Sequence, residues 1–255
     1  MRRFFVDKTS ILSGRATISG SDMRHIQTVL RLKPGDEILL FDGQGSEYVA
    51  RITENRRDKT VLLILQEYSS NSESRLQLSI GQALLKARKM DYIVRQLTEL
   101  GAFAFLPFVA ERSVPGPSTE RLSERQQRWE VITRESIKQC GRFRALHISP
   151  VVSFQDLISS HQSYDLKIVF HHSSSSIGLE SILEAPLNVG RVLALVGPEG
   201  GFTDEEVTLA VDSGFCSISL GPRILKADTA AIVAGAILQY AFGDLGGLQK
   251  SLDKD

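Results

Sequence analysis

Three five-residue runs in the second half of the chain, Leu166–Phe170, Val192–Val196 and Cys216–Leu220, constrain its fold more than any other feature. Runs so short and so apolar read as strands buried in a parallel sheet. Parallel strands need crossovers, usually helices, to bring the chain back, and those helices are legible. Met90, Ile93, Val94, Leu97 and Leu100 fall at helical spacing, with Gly101 as the stop. A charged helix is expected from Thr119 to Cys140, burying Trp129, Ile132 and Ile137. Asp204–Ser213 reads as a helix, with Thr203 and Glu206 in capping-box spacing and Gly214 behind it. Asp228–Phe242 is apolar nearly all round, so such a helix must be covered on more than one side. With Leu76–Leu84 and Phe103–Val109 as further strands, the second domain is α/β with a largely parallel sheet. Ligands in such sheets sit beyond the carboxyl ends of the strands.

The first 68 residues follow another pattern. Arg3–Val6, Arg15–Ser19, Glu37–Phe41, Glu47–Ile52 and Thr60–Gln66 read as short strands, interrupted by one helix around Asp22–Leu30. Lys33-Pro34-Gly35-Asp36 and Asp42-Gly43-Gln44-Gly45 supply turn chemistry. So many strands in so short a stretch predict a small β-barrel over residues 1–68. Ser69 to Ser74 is polar throughout and reads as a linker, which leaves 75–255 as the α/β domain.

At 42% hydrophobic the chain can bury a core, which excludes wholesale disorder. No apolar run reaches the roughly 18 residues of a membrane span, and the first residues carry no stretch fit for a secretory signal. Cys140 and Cys216 stand alone, so neither a disulfide framework nor a zinc site is expected. A soluble, cytoplasmic protein is the expectation. Its zero net charge hides a division: residues 75–150 hold 13 Lys and Arg against 7 Asp and Glu, and residues 151–255 hold 6 against 13. A basic middle suits a nucleic acid, although a solvated helix face gives the same excess.

Two glycine-bearing loops follow strands: Val196-Gly197-Pro198-Glu199-Gly200-Gly201-Phe202-Thr203 and Leu220-Gly221-Pro222-Arg223-Ile224-Leu225-Lys226. Neither matches a dinucleotide or P-loop spacing. Glu199, Asp204, Glu205 and Glu206 also crowd the helix start that a phosphate would need. A neutral or cationic ligand fits better, reached by backbone N–H and C=O groups, in acid-rich surroundings; two tight turns capping two helices are the plain alternative. His171-His172 lacks partners at metal-ligand spacing. Ser173–Ser176 reads as a loop, since no nucleophile elbow is present. Arg2-Arg3-Phe4-Phe5 mixes cations with aromatic faces, as a nucleic-acid contact or as an edge strand.

The two loops, the second running on through Ala227-Asp228-Thr229-Ala230, resemble the signature of the SPOUT methyltransferases. More narrowly they resemble the bacterial 16S (small-subunit) ribosomal RNA uridine-N3 methyltransferases. His25 to Arg31, Lys86 to Lys89, Thr98 to Gly101, Glu111-Arg112-Ser113 and Gln139 to Arg142 match that family's pattern in order, over residues 2–243. Lys226 and Asp228 stand where the family usually has Arg and Glu.

The resemblance implies a PUA-like RNA-binding barrel, then a SPOUT domain with a deep trefoil knot, in a homodimer with the active site at its interface. It implies S-adenosyl-L-methionine as methyl donor, with S-adenosylhomocysteine as product and no metal. The implied donor site is His172, Val196, Gly197, Pro198, Glu199, Gly200, Gly201, Leu220, Gly221, Ile224, Leu225, Ala227 and Thr229. The implied substrate is small-subunit ribosomal RNA or the assembled small subunit. Arg2, Arg3, Arg24, His25, Arg31, Lys86, Lys89 and Arg142 are the candidate RNA contacts. Uracil N3 must lose a proton before it can attack, and the charge spreads to the flanking carbonyl oxygens. Arg112 and Arg223 are the candidates to stabilise that charge, and Glu199 to take the proton. A related enzyme acting on transfer RNA, or an inactive RNA-binding relative, would share the scaffold.

Overall fold

The computed structural model describes residues 2–69, 73–113, 119–160, 163–172, 178, 180 and 189–246. The chain forms two compact units, one of residues 1–73 with 134–145, the other of 74–133 with 146–255. The expected division ran near residue 70 alone; residues 134–145, the end of the Thr119–Cys140 helix and the turn after it, group with the first unit. Part of the expected linker and all of Ser173–Ser176 lie outside the described residues.

The first unit holds a six-stranded sheet in the order β1-β4-β5-β6-β3-β2. Its strands are β1 (Arg3–Phe5), β2 (Ile11–Leu12), β3 (Arg15–Ser19), β4 (Glu37–Phe41), β5 (Ser46–Asn55) and β6 (Lys59–Ser69). β1 and β4 run parallel and the other pairs antiparallel. All five expected strands form; β2 is an addition too short for sequence alternation to reveal. Strict alternation in β3 turns Ala16 and Ile18 inward, where they join Phe4, Ile26, Leu40 and Leu62 in one core. The turn after β4 closes on the buried Asp42, whose Oδ1 accepts the N–H groups of Gln44 at 2.8 Å and Ser46 at 3.1 Å. Gly43 fits there because φ is +69° and Phe5 already packs 3.4 Å from where a Cβ would stand. The expected helix is present, but after Gly20–Arg24 it widens to π geometry over His25–Val29.

The second unit is built on a seven-stranded sheet in the order β10-β8-β7-β12-β11-β13, with β9 also beside β8. Its strands are β7 (Gln77–Ala83), β8 (Ala104–Val109), β9 (His147–Ile148), β10 (Val152–Ser153), β11 (Leu166–Phe170), β12 (Arg191–Val196) and β13 (Cys216–Ile218). Every strand pair in it is parallel. Both faces are covered, by one core containing Ile80, Ile168 and Ala194 and another containing Phe108, Val169 and Leu195. Burial on two faces explains the uninterrupted apolar runs. In the first core the Trp129 indole meets Phe105 edge-to-face at 6.0 Å. Ile132 packs partly buried against the same core, whereas Ile137, buried as expected, belongs to the segment that groups with the first unit. The helix Phe154–Ser160 was not expected; it buries Phe154, Leu157 and Ile158 from a segment too short to show a clear period. The last helix, Ala227–Phe242, packs Ala231, Ala234 and Leu238 into the first core. Among the described residues no helix is long and apolar enough to cross a membrane.

Candidate active site

A parallel sheet delivers all its strand ends to one edge. The carboxyl ends of β8, β11, β12 and β13 therefore bring together Arg112, His171 and His172, the first glycine loop and the second. These segments enclose a cavity of about 550 Å³ within the second unit. Its wall includes His172, Val196, Gly197, Pro198, Glu199, Gly200, Gly201, Leu220, Gly221, Ile224, Leu225 and Ala227, together with Arg112 and Arg223. Thr229 is absent from it. Lys226 caps the last helix, and Ala227 and Ala230, one turn apart, face the cavity while Thr229 is exposed.

The first loop is fixed from several sides. Gly197 lies against Phe202, whose ring is 3.1 Å from where a Cβ would stand. Gln82, fully buried in β7, donates from Nε2 to the Gly197 carbonyl at 3.1 Å and to that of Ala83 at 3.0 Å. Gly201 N–H closes a turn on the Pro198 carbonyl at 2.9 Å. Gly200 allows a close approach, because a Cβ there would stand 3.1 Å from Arg112 Cβ, tighter than ordinary contact. Arg112 Nη1 donates to the carbonyls of Gly200 at 3.2 Å and Phe202 at 3.5 Å. Lys89 Nζ lies 3.1 Å from Glu199 Oε1, and both line the cavity. In the second loop Ser219 Oγ donates to the Gly221 carbonyl at 3.1 Å. Burial holds the His171 imidazole below its ordinary pKa, opposed by Asp204 and assisted by His172.

The expected acid-rich surroundings are not found. Of Glu199, Asp204, Glu205 and Glu206 only Glu199 reaches the cavity, against Lys89, Arg112, Arg223 and Lys226. Phe202 and Thr203 are buried between the loop and the helix Asp204–Asp212, so Asp204 and Glu205 face solvent and Glu206 turns back into the capping box. Phe170, His171, Phe202 and Ser219 also line the cavity and were not among the expected donor-site residues. Gln82 could have been suspected only as a polar residue in an apolar strand. Among the described residues no group of three His, Cys, Asp or Glu is placed to hold a metal.

The candidate RNA contacts divide. Arg2, Arg24, His25, Arg31 and Lys86 are exposed. Arg3 is held inside the first unit by Glu47 at 2.8 Å and by the carbonyls of Ile137 and Arg142, with its guanidinium over the rings of Phe41 and Phe143. Arg142 is held by Glu73 at 2.8 Å. These two cations serve the fold. Arg2, Arg3 and His25 border a second cavity of about 250 Å³, together with Asp22, Glu135 and Lys138.

Comparison with known proteins fits this geometry. Residues 72–239 match the RNA methyltransferase domain family, and residues 18–65 match the RNA methyltransferase PUA domain family. The chain is 32% identical to the ribosomal RNA small subunit methyltransferase E of Bacillus subtilis, over 94% of this chain and 96% of the relative. The structure of the enzyme of that name from Neisseria gonorrhoeae, bound to S-adenosyl methionine, superposes with a TM-score of 0.84 at 30% identity, covering 96% of this chain and 99% of the other. A methyltransferase structure from Legionella pneumophila with bound SAM gives 0.85 at 29% identity, over 95% of this chain and 98% of the other.

Proposed function

The chain belongs to the family of the ribosomal RNA small subunit methyltransferases E, and from that premise we propose that it methylates N3 of a uridine in small-subunit ribosomal RNA, with S-adenosylmethionine as donor. The observation that carries the reading is one cavity wall that presents Arg112, Arg223 and Glu199 together with both glycine loops.

The residues fit the donor. About 550 Å³ is ample for a molecule of that size, and Gly197, Gly200 and Gly221 leave backbone groups within reach of a ligand. When bound, S-adenosylmethionine supplies a methyl group made electrophilic by a positive sulfonium. The chain's own residues do the rest. Glu199 accepts the N3 proton, and Lys89 beside it steadies its position. Arg112 and Arg223 donate hydrogen bonds to the two carbonyl oxygens that take up the charge of the deprotonated uracil. Phe170 and Phe202 keep water from the reacting centre. The four cations of the wall suit a polyanionic substrate. The base enters unstacked, because a duplex would hold N3 out of reach.

The sheet of residues 1–68 serves as the RNA-binding module, and the unit of residues 74–133 with 146–255 as the catalytic domain. Arg2, Arg24, His25, Arg31 and Lys86 contact the phosphate backbone, as a partner of that charge requires. The enzyme works as a cytoplasmic homodimer. The last helix buries Ala231 and Leu238 in its own core, while Tyr240 is 67% exposed and Ile224 83%. That apolar remainder is what a second copy would cover.

Transfer of labelled methyl groups tests the reading, with small ribosomal subunits from cells lacking the modification offered beside transfer RNA. Label in the small-subunit RNA supports it. Label confined to transfer RNA, or donor binding without transfer to either, contradicts it.

A further inference from the structure

Glu206 closes the capping box of the helix Asp204–Asp212: its Oε2 accepts the Thr203 N–H at 3.0 Å, and Thr203 Oγ1 accepts the Glu206 N–H at 3.2 Å. Capping asks nothing more of this side chain. Its second oxygen nonetheless accepts the N–H of Glu111 at 2.9 Å, 95 residues away in sequence. Glu206 is 8% exposed and lies behind the cavity wall, not on it.

The two N–H groups it holds bracket one contact. Glu111 immediately precedes Arg112. Thr203 immediately follows Phe202, whose carbonyl, with that of Gly200, receives the Arg112 guanidinium. The turn carrying Arg112 is itself tight, with Ser113 N–H on the Ala110 carbonyl at 3.0 Å and Ala110 N–H on Ser113 Oγ at 3.0 Å. A small rigid turn and a glycine loop are therefore clamped at both ends of their junction by one buried side chain.

We infer that Glu206 is a positioning residue for methyl transfer, the bridge that sets Arg112 against the first glycine loop. The inference rests on the role given to Arg112 above. Only a carboxylate performs it, because both of its oxygens accept. A glutamine of the same shape turns its amide NH₂ toward one of the two N–H groups and leaves that donor buried without a partner.

The test compares Glu206→Gln with Asp165→Ala, which removes another carboxylate that holds two backbone N–H groups, at the amino ends of β11 and β12 and so opposite the strand ends that carry the cavity. There Asp165 Oδ2 accepts the N–H groups of Gly190 at 2.9 Å and Arg191 at 2.8 Å. In Glu206→Gln, amide exchange at Glu111 or Thr203 speeds up by about tenfold or more. Single-turnover transfer falls by about 10- to 100-fold, the loss expected of a small misplacement, while donor KM moves far less. The alkaline-rising limb of its pH–rate profile shifts to higher pH, since a displaced Arg112 stabilises the uracil anion less. Asp165→Ala lowers Tm and leaves both rate and profile unchanged. Equal rate loss in the two variants at equal Tm loss overturns the inference, as does unaltered exchange at both amides in Glu206→Gln. An unmodified protein that transfers no methyl group refutes the functional reading instead; the exchange measurement still decides whether the bridge holds the Arg112 turn.

Discussion

Arg112, Arg223 and Glu199 stand on one wall with opposite charges, and their removal has separable consequences. Arg112→Ala should lower the single-turnover rate by about 10²- to 10³-fold, the usual loss for one oxyanion donor, with donor affinity changed much less when measured by calorimetry. His171 gives a pH test. Burial lowers its pKa, so the folded state prefers the neutral ring. Its contribution to stability is full above the ordinary value of 6.5 and declines as pH falls through the lowered folded value. Denaturant titrations of wild type and His171→Asn should therefore differ in slope only on the acid side. Most of the wall was legible because the loops carry a dense, spaced signature. Phe170 and Ser219 were not, because they reach the cavity only through the order of strands in the sheet, and His171 stood out only as half of a pair without metal partners. The misjudged charge has a similar cause. Counting carboxylates along the chain does not tell which side of a helix start they occupy, and Phe202 and Thr203 turned three of the four away.

Elements were more legible than residues wherever burial was two-sided or the period long. The Thr119–Cys140 helix has the bounds its pattern predicted, and the buried strands of the second unit differ from expectation by a residue or two. Cys216–Leu220 shortened to Cys216–Ile218 because Ser219 and Leu220 turn into the second loop. Phe154–Ser160 was missed because two turns of helix bury three residues and leave no period to read. At this scale the last helix makes the clearest prediction. Tyr240→Asp places a charge on the face proposed for a second copy, at a residue that does not line the cavity. Sedimentation velocity should report a monomer for this variant and a dimer for the wild type; a dimer in both would contradict the assembly.

In the whole molecule, contacts distant in sequence carry what local patterns do not announce. Glu73 lies in the polar stretch expected to be a linker with nothing to bury. In the first unit it is 18% exposed, paired with Arg142 and accepting the N–H groups of Phe143 and Arg144 at 2.9 and 3.0 Å. Burial pushes its pKa up, but the hydrogen bonds and the Arg142 charge outweigh that and hold it below the ordinary carboxylate value. Its stabilisation is present above pH 4.5 and lost as pH falls through the lowered value. Glu73→Gln should cost about 2 kcal/mol at neutral pH and less in acid, read by urea unfolding at both. A polar run in sequence shows only that nothing apolar needs burying there; a single anchored carboxylate within it is invisible until the 134–145 segment is seen to group with the first unit.

Nucleoside mass spectrometry shows whether this cavity transfers a methyl group to a uracil nitrogen. Small subunits from cells lacking the modification would be incubated with the protein and isotopically labelled S-adenosylmethionine, and their RNA digested. Labelled N3-methyluridine is expected from one position of the small-subunit RNA, formed about 10²- to 10³-fold more slowly by Arg112→Ala. Label on another base, on ribose or on a carbon of uracil would contradict that expectation.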